Sequence, residues 1–154
     1  MKYERKTQSE EETVAFGSAF GKLLEEGDVV ALQGDLGAGK THFVQGIAQG
    51  MGICAPVVSP TFTILNYYDG PVPLQHFDFY RLEREEELEA LGFADYLGSG
   101  VTVIEWSEKF PERLPAGAVI VTIEKLDDLT RIFKLHFQGN SWQKREKEVS
   151  ALCF

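Results

Sequence analysis

Apolar positions change period along this chain, and each change marks an element. Phe16, Phe20, Leu23 and Leu24 recur at i, i+4, i+7 and i+8 behind Ser9-Glu10-Glu11-Glu12. The S-x-x-E start is a capping box, so an amphipathic helix of roughly 15 residues is expected from Ser9, ending near Gly27. Val29-Val30-Ala31-Leu32 is a continuous apolar run of buried-strand type, and Phe43, Val44, Ile47, Ala48 and Met51 then return to helical spacing as far as Gly50 and Gly52. Beyond Val57-Val58, the segment Ser59-Pro60-Thr61-Phe62 predicts an ordered loop, because a residue before proline is pushed toward extended backbone. Thr63 to Tyr68 and Leu74 to Tyr80 are rich in β-branched and aromatic residues and flank Asp69-Gly70-Pro71, which predicts a hairpin. A short helix over Glu83 to Leu91 is stopped by Gly92, and Phe93 to Leu97 adds another turn or two. Val101-Thr102-Val103-Ile104 reads as a buried strand that delivers Glu105-Trp106 at its end. Val119 to Glu124 and Arg131 to Phe137 flank a polar turn at Asp127-Asp128 and predict a last hairpin. Residues 1–8 carry no predicted element, and 138–154 reads as a C-terminal helix or tail.

Strands and helices alternate first and hairpins enter later, which predicts an α/β fold with a mixed sheet and helices on both faces. The 154 residues suit one domain with a substantial core. Lys plus Arg number 15 against 24 Asp plus Glu, a formal net charge of −9, and no segment forms a basic stripe. Stable nucleic-acid binding by this chain alone is therefore not expected. Lys144, Arg145 and Lys147, interleaved with Glu146 and Glu148, are expected on the solvated face of a terminal helix. Cys54 and Cys153 lack metal or redox spacing and read as reduced thiols. The N-terminus lacks the apolar stretch of a signal peptide and no run is long enough to span a bilayer, so the expectation is a cytoplasmic protein without a membrane partner.

The loop between the Val29 strand and the Phe43 helix supplies the chemistry. Gly34-Asp35-Leu36-Gly37-Ala38-Gly39-Lys40-Thr41 is a complete G-x-x-x-x-G-K-[ST] phosphate-binding loop. Its glycines let backbone N–H groups approach a polyphosphate, Lys40 is placed to neutralise β and γ oxygens, and the Thr41 hydroxyl suits Mg²⁺. A strand feeding a loop that opens a helix also sets the helix N-terminus against the anion. Such a site needs a carboxylate at the end of a neighbouring strand. Asp78 interrupts the aromatic run Phe77 to Tyr80, and it either faces the site or pairs with Arg81 or Arg84. Glu105 ends the Val101 strand at the carboxyl edge where open α/β sheets bind ligands, and it either serves Mg²⁺ or water or is a surface residue. Thr61 either senses a γ-phosphate or caps a turn after Pro60. His76 reads as structural, and Tyr80 and Trp106 sit beside the carboxylates. The only asparagines, Asn66 and Asn140, are not followed by Lys, so the guanine motif Asn-Lys-x-Asp is missing and adenine is preferred.

GDLGAGKT at 34–41, SPTF at 59–62, HFDFYRL at 76–82 and EWSEKFP at 105–111 together resemble the TsaE (YjeE) family over roughly residues 7–124. The resemblance implies a three-layer P-loop NTPase fold and an ATPase that supports the partner proteins TsaB and TsaD in forming threonylcarbamoyladenosine at position 37 of tRNAs that read codons starting with A. The tRNA would be met only through the complex. Carried onto this chain, it implies ATP binding by Gly34 through Thr41 and MgATP hydrolysis with Lys40, Asp78 and Glu105, of which the two carboxylates and Thr41 serve the metal. It places Thr61 at the γ-phosphate, Trp106 close to the nucleotide, and Glu10 and Thr13 beside the adenine. His42 stands where the family commonly has a second Thr, a position whose backbone N–H can still reach the α-phosphate. Two other activities fit a phosphate loop. A small-molecule kinase would need an acceptor pocket and an Arg-rich lid, for which the middle of the chain offers only Arg81, Arg84 and Arg113, and a nucleotide-gated binding module would need no useful hydrolysis.

Overall fold

The apolar runs become the interior strands of a seven-stranded mixed sheet. A computed structural model describes residues 1–34 and 39–152 of the chain. In chain order the elements are β1 (Lys2–Thr7), α1 (Glu10–Gly21), β2 (Val29–Gln33), α2 (Lys40–Gly50), β3 (Leu65–Tyr68), β4 (Leu74–Asp78), α3 (Glu86–Ala90), α4 (Phe93–Tyr96), β5 (Val101–Glu105), β6 (Val119–Lys125), β7 (Arg131–His136), α5 (Asn140–Gln143) and α6 (Glu146–Leu152). The sheet order is β1-β7-β6-β2-β5-β4-β3. Its middle, β6-β2-β5-β4, is parallel, and β1, β7 and β3 join antiparallel at the flanks.

Alternation along the strands sorts side chains into two cores. Val30, Leu32, Val101, Val103, Val119 and Val121 face one layer with α1, α2 and the C-terminal helices, while Val29, Phe77 and Ile104 face the smaller layer of α3 and α4. Both hairpins lie where the hydrophobic pattern predicts them. Ser9 caps α1 by accepting the Glu12 N–H at 3.0 Å, and the Glu12 carboxylate reaches back to the Gln8 N–H. The helix stops at Gly21, well before Gly27, because the chain turns there and lets Leu23 and Leu24 pack on the core from outside the helix.

Two segments depart from expectation. Residues 2–7 form an edge strand paired with β7 from Lys2–His136 to Thr7–Arg131. Its sequence is mostly charged, which hides it from a hydrophobic count yet suits a sheet edge that must not recruit other strands. In the tail, Arg145 is buried rather than solvated. Its guanidinium donates to Asp28 at 2.7 and 3.1 Å and to the Leu23 carbonyl at 2.9 Å, and it lies 3.6 Å over the Trp142 ring. The cation thus ties the last helices to the turn that precedes β2.

Helices α1 and α2 touch backbone to backbone. A Cβ at Gly17 would stand 2.5 Å from the Phe43 carbonyl oxygen, and one at Gly21, Gly46 or Gly50 would collide with the carbonyl of Ile47, Val14 or Ser18. Glycine is the residue that permits this approach. Gly46→Ala is therefore expected to destabilise the protein by about 2 kcal/mol or more through overpacking, although alanine adds about 1 kcal/mol of helix propensity. Urea denaturation measures the sign, and an unchanged or raised midpoint would contradict the seam.

Candidate nucleotide site

The C-terminal edges of β2, β4 and β5 open onto one cleft of about 330 Å³. It is lined by Glu10 and Thr13 of α1, by Gly39, Lys40, Thr41 and His42 at the start of α2, and by Thr61, Asp78, Glu105 and Trp106. Those ten positions, named from sequence, come together from five separate stretches of chain. Gly34 meets the group through its carbonyl, which accepts from Lys40 Nζ at 2.6 Å. Asp35, Leu36, Gly37 and Ala38 lie outside the described residues, as does Cys153.

Both carboxylates are strand-end residues in register. Asp78 and Glu105 are direct neighbours across the parallel pair β4–β5, and both are buried. Asp78 does not pair with Arg81 or Arg84. It accepts the Tyr80 N–H at 2.9 Å through Oδ1 and the Thr61 hydroxyl at 2.9 Å through Oδ2. Thr61 in turn lies 2.8 Å from the Ser59 hydroxyl, which must donate since the Thr61 proton is committed to Asp78. The Ser59–Thr61 loop is thereby locked onto a site carboxylate. Ile64 closes that loop at φ 69, a left-handed conformation costly for a β-branched residue, and its carbonyl accepts the Asp78 N–H at 2.8 Å. Arg81 stays outside the cleft, donating to the Phe62 carbonyl at 3.3 Å and lying against the exposed Phe62 ring.

Glu105 has a partner that the sequence did not assign to it. His76, fully buried in β4, places Nε2 2.6 Å from Glu105 Oε2. An ionised carboxylate only accepts, so Nε2 donates this bond. Nδ1 is buried with no partner among the described residues. The contact occupies one carboxylate oxygen and fixes the plane of the other. His76 and Asp78 differ by two residues, a spacing that puts both on one face of β4. That parity was the signal in the sequence, but naming Glu105 as the partner required knowing that β4 and β5 are neighbours.

Trp106 follows Glu105 at φ 57, and this left-handed turn sets its ring 4.0 Å from Lys40 Nζ. Ammonium over an indole face is a favourable cation–π geometry. Ser107 then donates to the Leu32 carbonyl at 3.1 Å, which fastens the turn after β5 to the end of β2. His42 Nε2 lies 3.7 Å from Glu10 Oε2 across the two helix starts.

Ser9, Ser59, Asp128, Leu129 and Arg131 also line the cleft and were not anticipated. The last three come from the β6–β7 hairpin, whose tip is tied by Asp127. The Asp127 carboxyl accepts N–H groups of Leu129 at 2.9 Å and Thr130 at 2.7 Å, and these bonds hold it below the usual 3.8. Among the described residues no cluster of three His, Cys, Asp or Glu could hold a metal ion by itself.

Two outcomes follow from these contacts. His76→Leu leaves a buried carboxylate without its partner and is expected to cost about 3 kcal/mol in urea denaturation, while His76→Gln, which keeps a donor, recovers part of the loss. Equal stability of the Leu variant would contradict the pairing. A depressed carboxyl pKa contributes stability above its unfolded value and loses it as pH falls through the folded one. The hairpin tip should therefore stay tied at neutral pH and loosen only below the usual 3.8 of an aspartate. Side-chain and amide NMR of residues 127–130 during acid titration reads this directly, and loosening already near neutral pH would contradict it.

Comparison with known proteins identifies the family. The family model described as Threonylcarbamoyl adenosine biosynthesis protein TsaE matches residues 7–133, which takes in every cleft residue. The tRNA threonylcarbamoyladenosine biosynthesis protein TsaE of Treponema pallidum is 44% identical over 126 residues, covering 81% of this chain and 93% of that protein. The protein of the same name from Bacillus subtilis is 41% identical over 147 residues, covering 94% and 92%. Among solved structures, the crystal structure of Bacillus subtilis YdiB superposes with a TM-score of 0.78 at 33% identity, covering 99% of this chain and 94% of that one. With its seven-stranded mixed sheet, its strand-end carboxylates and these matches along most of its length, the chain belongs to the TsaE family.

Proposed function

We propose that this chain is an ATPase of tRNA threonylcarbamoyladenosine formation, which binds and hydrolyses MgATP to drive or reset a complex of TsaB and TsaD. The observation that supports it most is the meeting of Lys40, Thr41, Asp78 and Glu105 in one cleft at the carboxyl ends of adjacent strands. Family membership supports the pathway, and the acidic balance of −9 fits a protein that acts through protein partners while another subunit holds the tRNA.

The residues divide the work by charge and burial. The start of α2 offers N–H groups and the positive end of its dipole to phosphate oxygens. Lys40, poised between the Gly34 carbonyl and the Trp106 face, can exchange either contact for a phosphate oxygen. Thr41 and the two carboxylates provide hard oxygens for Mg²⁺, which when bound would neutralise charge building on the phosphates. Glu105, fixed by His76, can accept a hydrogen bond from the attacking water. Thr61, already bonded to Asp78, can report the occupancy of the γ end to its exposed loop. The threonylcarbamoyl transfer itself is assigned to TsaD rather than to this chain. Among the described residues no helix is long and apolar enough to cross a membrane.

Reconstitution tests this role. With purified TsaB, TsaD, tRNA and threonylcarbamoyl-adenylate, adding the wild-type chain and ATP should give multiple-turnover modification and faster ATP hydrolysis than the chain alone. Lys40→Ala should reduce both by at least about tenfold, the scale of one lost transition-state contact. Unchanged turnover on omitting the chain, or with Lys40→Ala, would overturn the proposal.

A further inference from the structure

Of the segment Glu105 to Pro111, the chemistry above uses only Glu105 and Trp106. The residues that follow reach the strands on either side. In the sheet, β5 lies between β2 and β4. After Trp106 the chain makes one tight helical turn over Ser107–Lys109 and enters the core at Phe110. Ser107 bonds the end of β2, as described above. Lys109 serves the other neighbour, and its Nζ donates to the carbonyl of Tyr80 at 2.8 Å and to that of Leu82. Both carbonyls belong to the turn that leaves β4 directly after Asp78.

That turn, residues 79–85, is neither strand nor helix. The Phe79 N–H donates to the Glu105 carbonyl at 3.0 Å, and the Leu82 N–H donates to the Phe79 carbonyl at 3.0 Å. Beyond them, side chains replace the ladder. The Glu87 carboxylate accepts the N–H groups of Glu83 at 2.7 Å and Arg84 at 3.1 Å, while the Lys109 ammonium collects the carbonyls of Tyr80 and Leu82. An ammonium suits this task because it donates in several directions at once and its charge strengthens each bond.

Tyr80 is what the turn presents to the cleft. Its N–H donates to Asp78 Oδ1 at 2.9 Å, and its ring packs on Trp106 with centroids 5.0 Å apart. Trp106 in turn lies 4.0 Å from Lys40 Nζ. Lys109 itself is exposed and does not line the cleft. It therefore grips, from outside, a residue that touches both a buried carboxylate and the ring over Lys40.

We propose that Lys109 is a positioning residue for the cleft: by holding the Tyr80–Leu82 turn, it fixes Asp78 through the Tyr80 N–H and keeps the Trp106 ring in place over Lys40. This rests on the cleft's being a site of MgATP hydrolysis. Removing the ammonium leaves the Thr61–Asp78 bond, Lys40, Thr41 and the start of α2 in the chain, so nucleotide binding survives. What loosens is the orientation of Asp78 and of the indole, so the loss falls on the rate.

Lys109→Met keeps the length of the side chain and removes its donors, whereas Lys109→Arg restores donors. In single-turnover hydrolysis of MgATP by the full chain with TsaB and TsaD present, Lys109→Met should be slower by about tenfold, the low end for losing a contact one step removed from a metal-site carboxylate. Its Kd for MgATP in calorimetric titration should stay within about threefold of wild type, and Lys109→Arg should recover part of the rate. In proton–nitrogen NMR spectra of the Met variant, the Trp106 indole signal should move while that of Trp142 does not. A lysine that only stabilised the fold would lower the urea midpoint and leave rate and indole signal unchanged in folded protein. Should Lys109→Met not fold, Lys109→Gln, which keeps a donor on a shorter chain, carries the same measurements. A rate within about twofold of wild type, or a Kd raised as much as the rate falls, overturns the positioning role. So does an unmoved Trp106 signal. The reading of the cleft fails separately, if wild type hydrolyses no MgATP or Lys40→Ala hydrolyses it as wild type does. Loss of hydrolysis in Lys40→Ala beside a fully active Lys109→Met overturns the positioning role alone.

Discussion

The close approach of α1 to α2 sets the geometry on which the cleft depends. Four glycines, Gly17 and Gly21 facing Gly46 and Gly50, let the two backbones meet where any side chain would intrude. The seam is short-range and steric, so it fixes distance and rotation together. It stacks Phe16 and Phe20 on Phe43 and seals the core beneath them. Its other end brings the first turn of α1 beside the first turn of α2, which puts Glu10 near His42 and Thr13 at the cleft.

Across β2 a different force dominates. Asp78 and Glu105 are buried at adjacent strand ends, where an unpaired carboxylate would be expensive. Each has hydrogen-bond partners within the fold, Asp78 from Thr61 and the Tyr80 N–H, Glu105 from His76. Such bonds orient the carboxylates in advance, so less reorganisation is left for any ligand to drive. The turns that make these contacts are strained. Ile64, whose carbonyl accepts the Asp78 N–H, and Trp106, which follows Glu105, are the non-glycine residues at positive φ among those described. Each costs on the order of 1–3 kcal/mol and is held by neighbouring hydrogen bonds and rings.

The chain termini stabilise the frame without entering the chemistry. β1 covers the edge of β7 and positions Thr7 under Arg131, while Arg145 binds Asp28 and stacks on Trp142, itself parallel to Phe20. One buried cation with a bidentate carboxylate and a ring partner thus connects the tail to the approach to β2. Neither segment announced itself by hydrophobic periodicity. Edge strands are kept charged for solubility, and a buried arginine looks like any surface arginine until its partner far away in sequence is known.

Local chemistry was readable one residue at a time. The capped first helix, the buried strands and the two hairpins are each specified by neighbours a few positions apart, since periodicity, capping and turn chemistry are short-range effects. The sequence by itself therefore determined the α/β class and the choice of Lys40, Thr41, Asp78 and Glu105 as candidate site residues. Only the tertiary structure decided that β4 and β5 are neighbours, that His76 holds Glu105, that Trp106 covers Lys40, and that Arg131 and Leu129 line the cleft. Those contacts join residues tens of positions apart, and sheet order and the glycine seam between helices, not any local pattern, bring them together.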